Sequence, residues 1–196
     1  MISTYIMAPL MIGLFALAEP AVRLLLTEKW LPCVLFLRIF CVSYMFYPVH
    51  TANLNAIKAM GRSDLFLKLE IVKKIIGMAL LLSTMFISVE AMAYSLLVSS
   101  VLSQIINASP NKRLLGYSYT DQLKDILPSL LLAVFMGLCV YPVIFIGLPD
   151  ILTIIIQVIF GAAIYIFGSR LLKLKAFEYL YGMLKSFVKR KGNKNG

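Results

Sequence analysis

The sequence predicts an all-α protein that crosses a membrane several times as a six-helix bundle. Of its 196 residues, 61% are apolar and only 14% are charged, whereas soluble domains contain ~45–50% apolar and ~25% charged residues. A water-soluble domain of this length cannot bury so much apolar surface, and disordered chains lack the many Leu, Ile, Phe and Tyr residues found here. The apolar residues form continuous runs near the ~20 residues with which a helix crosses hydrocarbon, whereas a barrel strand has ~10 residues of alternating polarity.

Runs without Asp, Glu, Lys or Arg locate the individual helices. Five such runs are about as long as the bilayer core is thick, and residues 75–89 form a shorter sixth run. The sixth run reaches the length of a span when Lys73 and Lys74 are placed at the headgroup level. The six predicted spans make up a domain of residues 1–172, and they cover residues 2–19, 32–57, 69–88, 91–109, 126–147 and 151–170.

Proline residues interrupt three of the predicted spans. Each proline removes a backbone hydrogen bond and can kink its helix. Such discontinuities line cavities in transporters, but proline is also simply more frequent in transmembrane helices than in soluble ones. The residues are Pro9 in the first span, Pro48 in the second, and Pro128 and Pro142 in the fifth.

The third span follows a turn at residues 58–64, at the membrane surface. Gly61 permits the turn, and Ser63 or Asp64 can cap the helix that follows. This helix begins with charges of both signs, which can pair three and four residues apart. The charged residues are Lys68, Glu70, Lys73 and Lys74.

Basic residues set the predicted orientation of the bundle. Three connections contain two basic residues in total, and the three stretches that alternate with them contain sixteen. The side with more Lys and Arg faces the cytoplasm, so an even number of spans predicts that both termini are cytoplasmic. The poorly basic connections are residues 19–30, 88–90 and 147–150, and the basic stretches are residues 58–74, 110–125 and 170–196.

Residues 173–196 form a basic tail after the last span. Apolar residues recur in it at helical spacing and basic residues occupy much of the opposite face, so we expect an amphipathic helix on the inner leaflet. We therefore assign the net charge of +10 to membrane topology and lipid headgroups, and we expect no nucleic acid partner. The apolar positions are Phe177, Leu180, Tyr181, Leu184 and Val188.

The second span is the least apolar of the six. Arg38 follows Trp30 by eight residues, so its side chain either snorkels to the outer surface or faces a water-filled cavity. His50 and Asn53 are three residues apart and share one helix face next to Pro48. Such polar groups either bond a neighbouring helix or face a polar pathway.

The sequence contains no recognisable catalytic or metal-binding motif. It has one His, and it lacks HExxH, GxSxG and GxxxxGK[ST] patterns and any cluster of Cys and His ligands. Its three Cys residues lie in apolar runs, which predicts buried thiols rather than disulfides or a metal site. We therefore expect a protein that is not an enzyme and that uses no cofactor. The Cys residues are Cys33, Cys41 and Cys139.

Six short motifs follow one another early in the chain: AEP (18–20), TEKWLP (27–32), YPVH (47–50), NLN (53–55), GRSDLFLKLE (61–70) and KK (73–74). In order and spacing, these motifs resemble the C-terminal half of Wzx-type oligosaccharide flippases, which are often described as lipopolysaccharide biosynthesis proteins. These flippases belong to the MATE/MOP superfamily. Residues 90–196 are similar to them only in hydropathy and in the spacing of spans.

The resemblance implies a carrier of undecaprenyl-pyrophosphate-linked oligosaccharide repeat units. The family moves these lipids to the outer leaflet of the bacterial inner membrane for O-antigen, capsule or exopolysaccharide assembly. Its members consist of two helical lobes around a cationic cavity, and the resemblance implies the C-terminal lobe here. They have about twice as many helices, so we expect this chain to be a fragment whose N-terminal lobe is supplied in cis or in trans. The implied partners are the lipid-linked oligosaccharide, membrane lipids and that missing lobe.

Basic and polar residues in and beside the second and third spans are candidates for binding the pyrophosphate group. It is a strong anion, and a flippase must offset the cost of removing it from water. Arg38, His50 and Lys58 lie at increasing depth toward the cytoplasm along the second span, where they offer successive positions for this charge. The predicted substrate-binding residues are Arg38, His50, Asn53, Lys58, Arg62, Lys73 and Lys74.

The sequence leaves three other functions open. A MATE-like cation exporter normally needs an intramembrane carboxylate, and only Glu19, near the outer end of its helix, is available. A membrane enzyme of polysaccharide assembly would form a covalent product without a partner. A scaffold subunit would tolerate the replacement of Arg38 and His50.

Overall fold

The computed structural model describes residues 2–116 and 118–192, within which every regular element is a helix. The predicted all-α fold is therefore confirmed. The end of the predicted tail, residues 193–196, lies outside the described residues, as do the side chains of Leu184 and Val188. The helices are α1 (Ile2–Leu26), α2 (Cys33–Met45), α3 (Tyr47–Ala59), α4 (Ser63–Thr84), α5 (Val89–Leu115), α6 (Tyr119–Val140), α7 (Asp150–Leu171) and α8 (Lys175–Gly192), and short 3-10 helices follow α1 at Glu28–Trp30 and α6 at Tyr141–Ile146.

Five segments of the described chain are long and apolar enough to cross a membrane, so the protein is polytopic. Four charged residues in the first half of α4 exclude that helix from the set. Its 22 residues rise about 33 Å, which matches the ~30 Å hydrocarbon core, and the span at 69–88 stays a prediction. The five segments are Ile2–Leu26, Cys33–Ala59, Val89–Asn111, Tyr119–Ile146 and Asp150–Leu171.

The second predicted span consists of two helices, because the chain breaks at Phe46 between α2 and α3. Pro48 has no N–H, and its ring would clash with the carbonyl four residues earlier in a continuous helix. The Phe46 carbonyl instead accepts hydrogen bonds from the amides of Val49 (3.1 Å) and His50 (3.2 Å). The kink predicted at Pro48 is confirmed, and Tyr47 and His50 lie in the first turn of a new helix.

Pro142 has a similar effect at the end of the fifth predicted span. The α-helix ends at Val140, and the chain continues as a 3-10 helix to Ile146. The Gln157 side chain of α7 donates through Nε2 to the Val140 carbonyl (3.1 Å) and so satisfies one acceptor at the helix end. Pro9 and Pro128 lie within continuous helices.

The central helix of the bundle is α1, which packs against α2, α6 and α7. The main core lies between α1, α6 and α7, around the fully buried Ala8 and Ala133. The Tyr5 hydroxyl on α1 donates to Ser169 Oγ on α7 (2.8 Å), and the Tyr165 hydroxyl donates to the Tyr5 carbonyl (2.8 Å). These bonds fix α1 against α7 near the predicted cytoplasmic side.

Glycines allow close approach between neighbouring helices. A Cβ atom at Gly137 of α6 would lie only 2.4 Å from Ile12 Cγ2 of α1, and one at Gly168 of α7 would lie 2.5 Å from Leu132 Cδ1 of α6. Small residues at helix interfaces are typical of membrane bundles, where van der Waals packing drives association. The position of α6 between α1 and α7 therefore depends on these two glycines.

The hairpin of α4 and α5 is the second part of the bundle. Ser88 starts α5 by accepting a hydrogen bond from the Ala91 amide (3.0 Å), as an N-cap does. α4 packs mainly against α5, and α5 also contacts α2, α3 and α6. The polar face of α5 is therefore brought against α3, where His50 and Asn53 lie.

The tail begins after a left-handed residue, Lys173 (φ 46°), and then forms α8. Leu174 is buried in the main core, and Phe177 and Leu180 pack against it. Part of the apolar face that the sequence assigns to the inner leaflet thus contacts the protein, because the turn folds α8 back onto the bundle. Tyr181 is exposed, and contact of that side with lipid stays a prediction.

Candidate functional site

A buried network of side-chain amides connects α3, α5 and α6. Asn53 of α3 lies at its centre, where its Oδ1 accepts from Asn111 Nδ2 of α5 (2.7 Å) and its Nδ2 donates to Gln122 Oε1 of α6 (2.8 Å). All three side chains are buried. A capping box between Ser118 and Asp121 begins α6 and places Gln122 in its first turn. The sequence left open whether Asn53 bonds a neighbouring helix or faces a polar pathway, and the structure shows bonds to two neighbouring helices.

His50 lies one turn before Asn53 on α3 and bonds to Asn107 of α5. The Asn107 Nδ2 atom is 2.8 Å from His50 Nδ1, so this ring nitrogen accepts the bond when Asn107 donates, and it carries no proton. Asn107 is fully buried. These residues form a polar seam between α3, α5 and α6, which consists of His50, Asn53, Asn107, Asn111 and Gln122.

The polar seam has further capacity to bind polar atoms. Asn107 Oδ1, Asn111 Oδ1 and Gln122 Nε2 are buried and have no hydrogen-bond partner among the residues that the structure describes. Unpaired polar atoms away from water cost free energy, and the cost is highest in hydrocarbon. Two acceptors and one donor are therefore open to water or to the polar groups of a ligand.

Lys73 contributes a buried positive charge next to the polar seam. It is the one buried residue of α4, and its Nζ is 2.5 Å from Glu70 Oε1. α4 packs against α3, and the charges of the pair act on His50 of that helix. Lys74 is exposed, since adjacent residues of a helix point about 100° apart. The two lysines that the sequence predicts together thus have different surroundings.

Arg38 lies apart from the polar seam, against α1 and the segment after α6. Its guanidinium carbon is 5.4 Å from the ring centroid of Phe15 and 5.7 Å from that of Tyr141. Its Nε and Nη2 atoms are buried and have no hydrogen-bond partner in the described chain. Arg38 also lines a cavity of about 420 Å³ together with Glu19 and Glu90. The guanidinium thus faces a cavity and two aromatic rings, and it is held by cation–π contacts.

Lys58 and Arg62 lie at the turn between α3 and α4. Lys58 Nζ is 4.3 Å from the ring centroid of Phe66, and Arg62 Nε is 3.2 Å from Asp64 Oδ1. Both basic residues are exposed. Of the seven predicted substrate-binding residues, the structure therefore gathers His50, Asn53 and Lys73, whereas Arg38, Lys58, Arg62 and Lys74 have other surroundings.

The Arg62–Asp64 contact gives a simple pKa prediction. The hydrogen bond from Arg62 lowers the pKa of the exposed Asp64 carboxyl, so we expect Arg62→Ala to raise this pKa toward the ordinary value of ~3.9. A lowered carboxyl pKa stabilises the folded state above the unfolded pKa, and this contribution is lost as pH falls through the folded pKa. NMR titration of the Asp64 carboxyl carbon measures the change, with Lys74→Ala as control. An unchanged titration in Arg62→Ala would show that Arg62 is not the cause.

The sequence predicts a charge-free span at residues 91–109, and this prediction does not include the polar face of α5. Polar residues of α5 recur at helical spacing, and this spacing is the signal that identifies the face. Gln122 gives no comparable signal, because it lies among other polar residues at the start of α6. The polar residues of the α5 face are Ser100, Gln104, Asn107 and Asn111.

A family model described as "Polysaccharide biosynthesis protein" matches residues 1–35. The match covers α1, the 3-10 helix after it and the start of α2. The chain has no significant match among curated proteins or solved structures. The matched segment is similar to proteins of polysaccharide biosynthesis, and the apolar helices identify the chain as a membrane protein.

Proposed function

We propose that the chain is the C-terminal part of a transporter that flips undecaprenyl-pyrophosphate-linked oligosaccharide repeat units across the bacterial inner membrane. The product would serve O-antigen, capsule or exopolysaccharide assembly. The observation that carries the proposal is the buried Lys73 beside the polar seam. The similarity of residues 1–35 to a polysaccharide biosynthesis family supports the pathway. The role is transport without catalysis, with both termini in the cytoplasm and a second lobe completing the cavity.

The burial of Lys73 is not explained by packing. A helix that only had to pack against α5 would bury an apolar or small residue, whereas α4 buries a lysine and exposes many of its apolar side chains. Buried ion pairs seldom add stability, because desolvation offsets their attraction. A lysine that is buried against its neighbours without such a gain in stability therefore favours a substrate or ion pathway.

A pyrophosphate can replace Glu70 as the partner of Lys73. The ammonium carries three donors, and charge-assisted bonds to phosphate oxygens are strong. Because Glu70 holds Lys73 in the absence of a ligand, the site is close to neutral when empty, which limits the cost of burying it. The carboxylate and the pyrophosphate then compete for the same ammonium.

This competition predicts opposite effects of two substitutions. Lys73→Gln should weaken binding of undecaprenyl pyrophosphate at least tenfold, because it removes the cation. Glu70→Gln should strengthen binding, because it frees the ammonium. The measurement is native mass spectrometry of the full chain in lipid nanodiscs, titrated with undecaprenyl pyrophosphate and, separately, with uncharged undecaprenol.

Lys74→Gln is the matched control, since it removes an equal charge from the next, exposed position. We expect it to change affinity by less than twofold. Equal affinity for undecaprenol and undecaprenyl pyrophosphate, or no effect of Lys73→Gln, would contradict the proposal. A cation exporter predicts instead that Glu70→Gln abolishes function, because Glu19 is already paired with Arg23 (3.1 Å).

A further inference from the structure

Four aromatic rings form a continuous row along α2 and α3. The ring centroids of Phe40 and Tyr44 are 6.4 Å apart, those of Tyr44 and Tyr47 are 6.2 Å apart, and those of Tyr47 and His50 are also 6.2 Å apart. Tyr44 and Tyr47 are each 53% exposed. The row crosses the break at Phe46 and ends at the polar seam. Its first two ring pairs are tilted by 58° and 54°, and the rings of Tyr47 and His50 are stacked at 21°.

Hydroxyl and amide groups of α5 face this row across a groove of about 250 Å³. Gln104 is 95% buried in it, and its side chain has no hydrogen bond among the described residues. The buried Ser43 Oγ likewise has no partner there. The remaining polar side chains that line the groove are Ser99, Ser100 and Ser103.

The depth of the groove makes its polar groups unusual. Tyrosines of membrane proteins concentrate at the two interfaces, where the hydroxyl meets water. Tyr44 and Tyr47 instead lie near the middle of the segment Cys33–Ala59, and their hydroxyls form no hydrogen bond within the described residues. Unpaired hydroxyl and amide groups are costly in hydrocarbon. The groove is therefore built for a polar occupant.

We propose that this groove is a saccharide track, in which sugar rings stack on Tyr44 and Tyr47 while Gln104 and the serines bond their hydroxyls. A pyranose has an apolar face of C–H groups and a rim of hydroxyls, which matches a wall of aromatic rings opposite a wall of small polar groups. No Lys or Arg lines the groove among the described residues, so it suits a neutral glycan rather than a phosphate. Ser100 Oγ already donates to the Ser43 carbonyl (3.1 Å), but a lipid tail would leave Gln104 and the Ser43 hydroxyl without partners.

The volume and the spacing of the rings fit part of a longer glycan. Pockets for whole drug-sized ligands have volumes of ~300–1,000 Å³, so this groove holds only one or two sugar units. The regular steps between rings offer successive stacking positions. The proposal rests on the proposed function in one respect, namely that the glycan belongs to the transported lipid.

The test measures binding of free trisaccharides and of lipid separately. Saturation-transfer NMR measures the binding of maltotriose and N-acetylchitotriose to the protein in nanodiscs that contain no sugar-based detergent. Native mass spectrometry measures the binding of undecaprenyl pyrophosphate that carries no glycan. The double variant Tyr44→Ala/Tyr47→Ala should lose at least tenfold in saccharide affinity and keep its affinity for the lipid. Tyr44→Phe/Tyr47→Phe should retain saccharide binding, because the ring faces remain.

Two further variants separate binding from folding. Tyr94→Ala removes a tyrosine of α5 that is 51% exposed and lies outside the groove, so it should bind saccharide like the parent. Gln104→Leu removes the unpaired amide of a residue that is 95% buried, so it should fold at least as well as the parent and still lose about tenfold in saccharide affinity.

The possible results distinguish the two proposals. No saccharide binding by the parent, with lipid binding intact, would overturn the track and leave the transport proposal standing. Saccharide binding that depends on Tyr44 and Tyr47, without any lipid binding, would support the track and overturn the transport proposal. Equal saccharide binding by Gln104→Leu and the parent would overturn the assignment of the polar wall.

Discussion

Asn53→Ala should lower the free energy of unfolding by about 1–3 kcal/mol. The substitution removes two hydrogen bonds and leaves Asn111 Nδ2 and Gln122 Oε1 without partners in a buried site. Each stranded buried group costs ~1–3 kcal/mol, and interhelical bonds in membranes average ~0.6 kcal/mol with a maximum of ~1.7, which sets the range. Unfolding in mixed micelles of increasing dodecyl sulfate content, followed by circular dichroism, measures the change.

Asn55→Ala is the matched control for Asn53→Ala. It is the same substitution two residues further along α3, at an exposed position without a side-chain bond in the described chain. We expect a change below about 0.5 kcal/mol, as for ordinary surface positions. Equal effects of the two substitutions would mean that the amide network does not hold α3 against α5 and α6.

Gly137→Ala should also destabilise the protein by about 1–3 kcal/mol, the usual cost of overpacking a core. The new methyl group would lie 2.4 Å from Ile12 Cγ2. A β-branched side chain has one strongly preferred rotamer in a helix, so Ile12 cannot turn away cheaply and α1 must move. The same dodecyl sulfate titration measures the loss.

Gly13→Ala provides the comparison from the facing helix. A Cβ atom at Gly13 meets no atom of the described residues within 4 Å, and alanine is favoured over glycine in a helix by ~1 kcal/mol. We therefore expect an unchanged or slightly increased stability. If Gly137→Ala were equally harmless, close contact between α1 and α6 would not be a requirement of the fold.

The local structure follows from the sequence to a large extent. Long apolar runs predict helices because only a helix satisfies its own backbone in lipid, and the structure is all-helical within the described residues. Pro48 predicts the break near Phe46 because it lacks an N–H. These features depend on residues close together in the chain, so the sequence alone contains them.

The composition of the site depends on contacts that the sequence does not display. The sequence predicts His50 and Asn53 as polar partners on one face, but it does not name Asn107, Asn111 and Gln122 as the groups they meet. It also treats Lys73 and Lys74 alike, although one is buried and the other exposed. Which of two adjacent lysines faces the protein depends on the rotation of α4 against α5.

The sequence by itself therefore determined that the chain is helical, apolar enough for a membrane and interrupted at Pro48. Only the tertiary structure decided which faces meet, and so which polar residues form the seam and the groove. The physical reason lies in the solvent. Hydropathy marks a buried face in water, but lipid is as apolar as a protein interior, so an apolar helix in a bilayer shows no contrast between the face that meets lipid and the face that meets another helix.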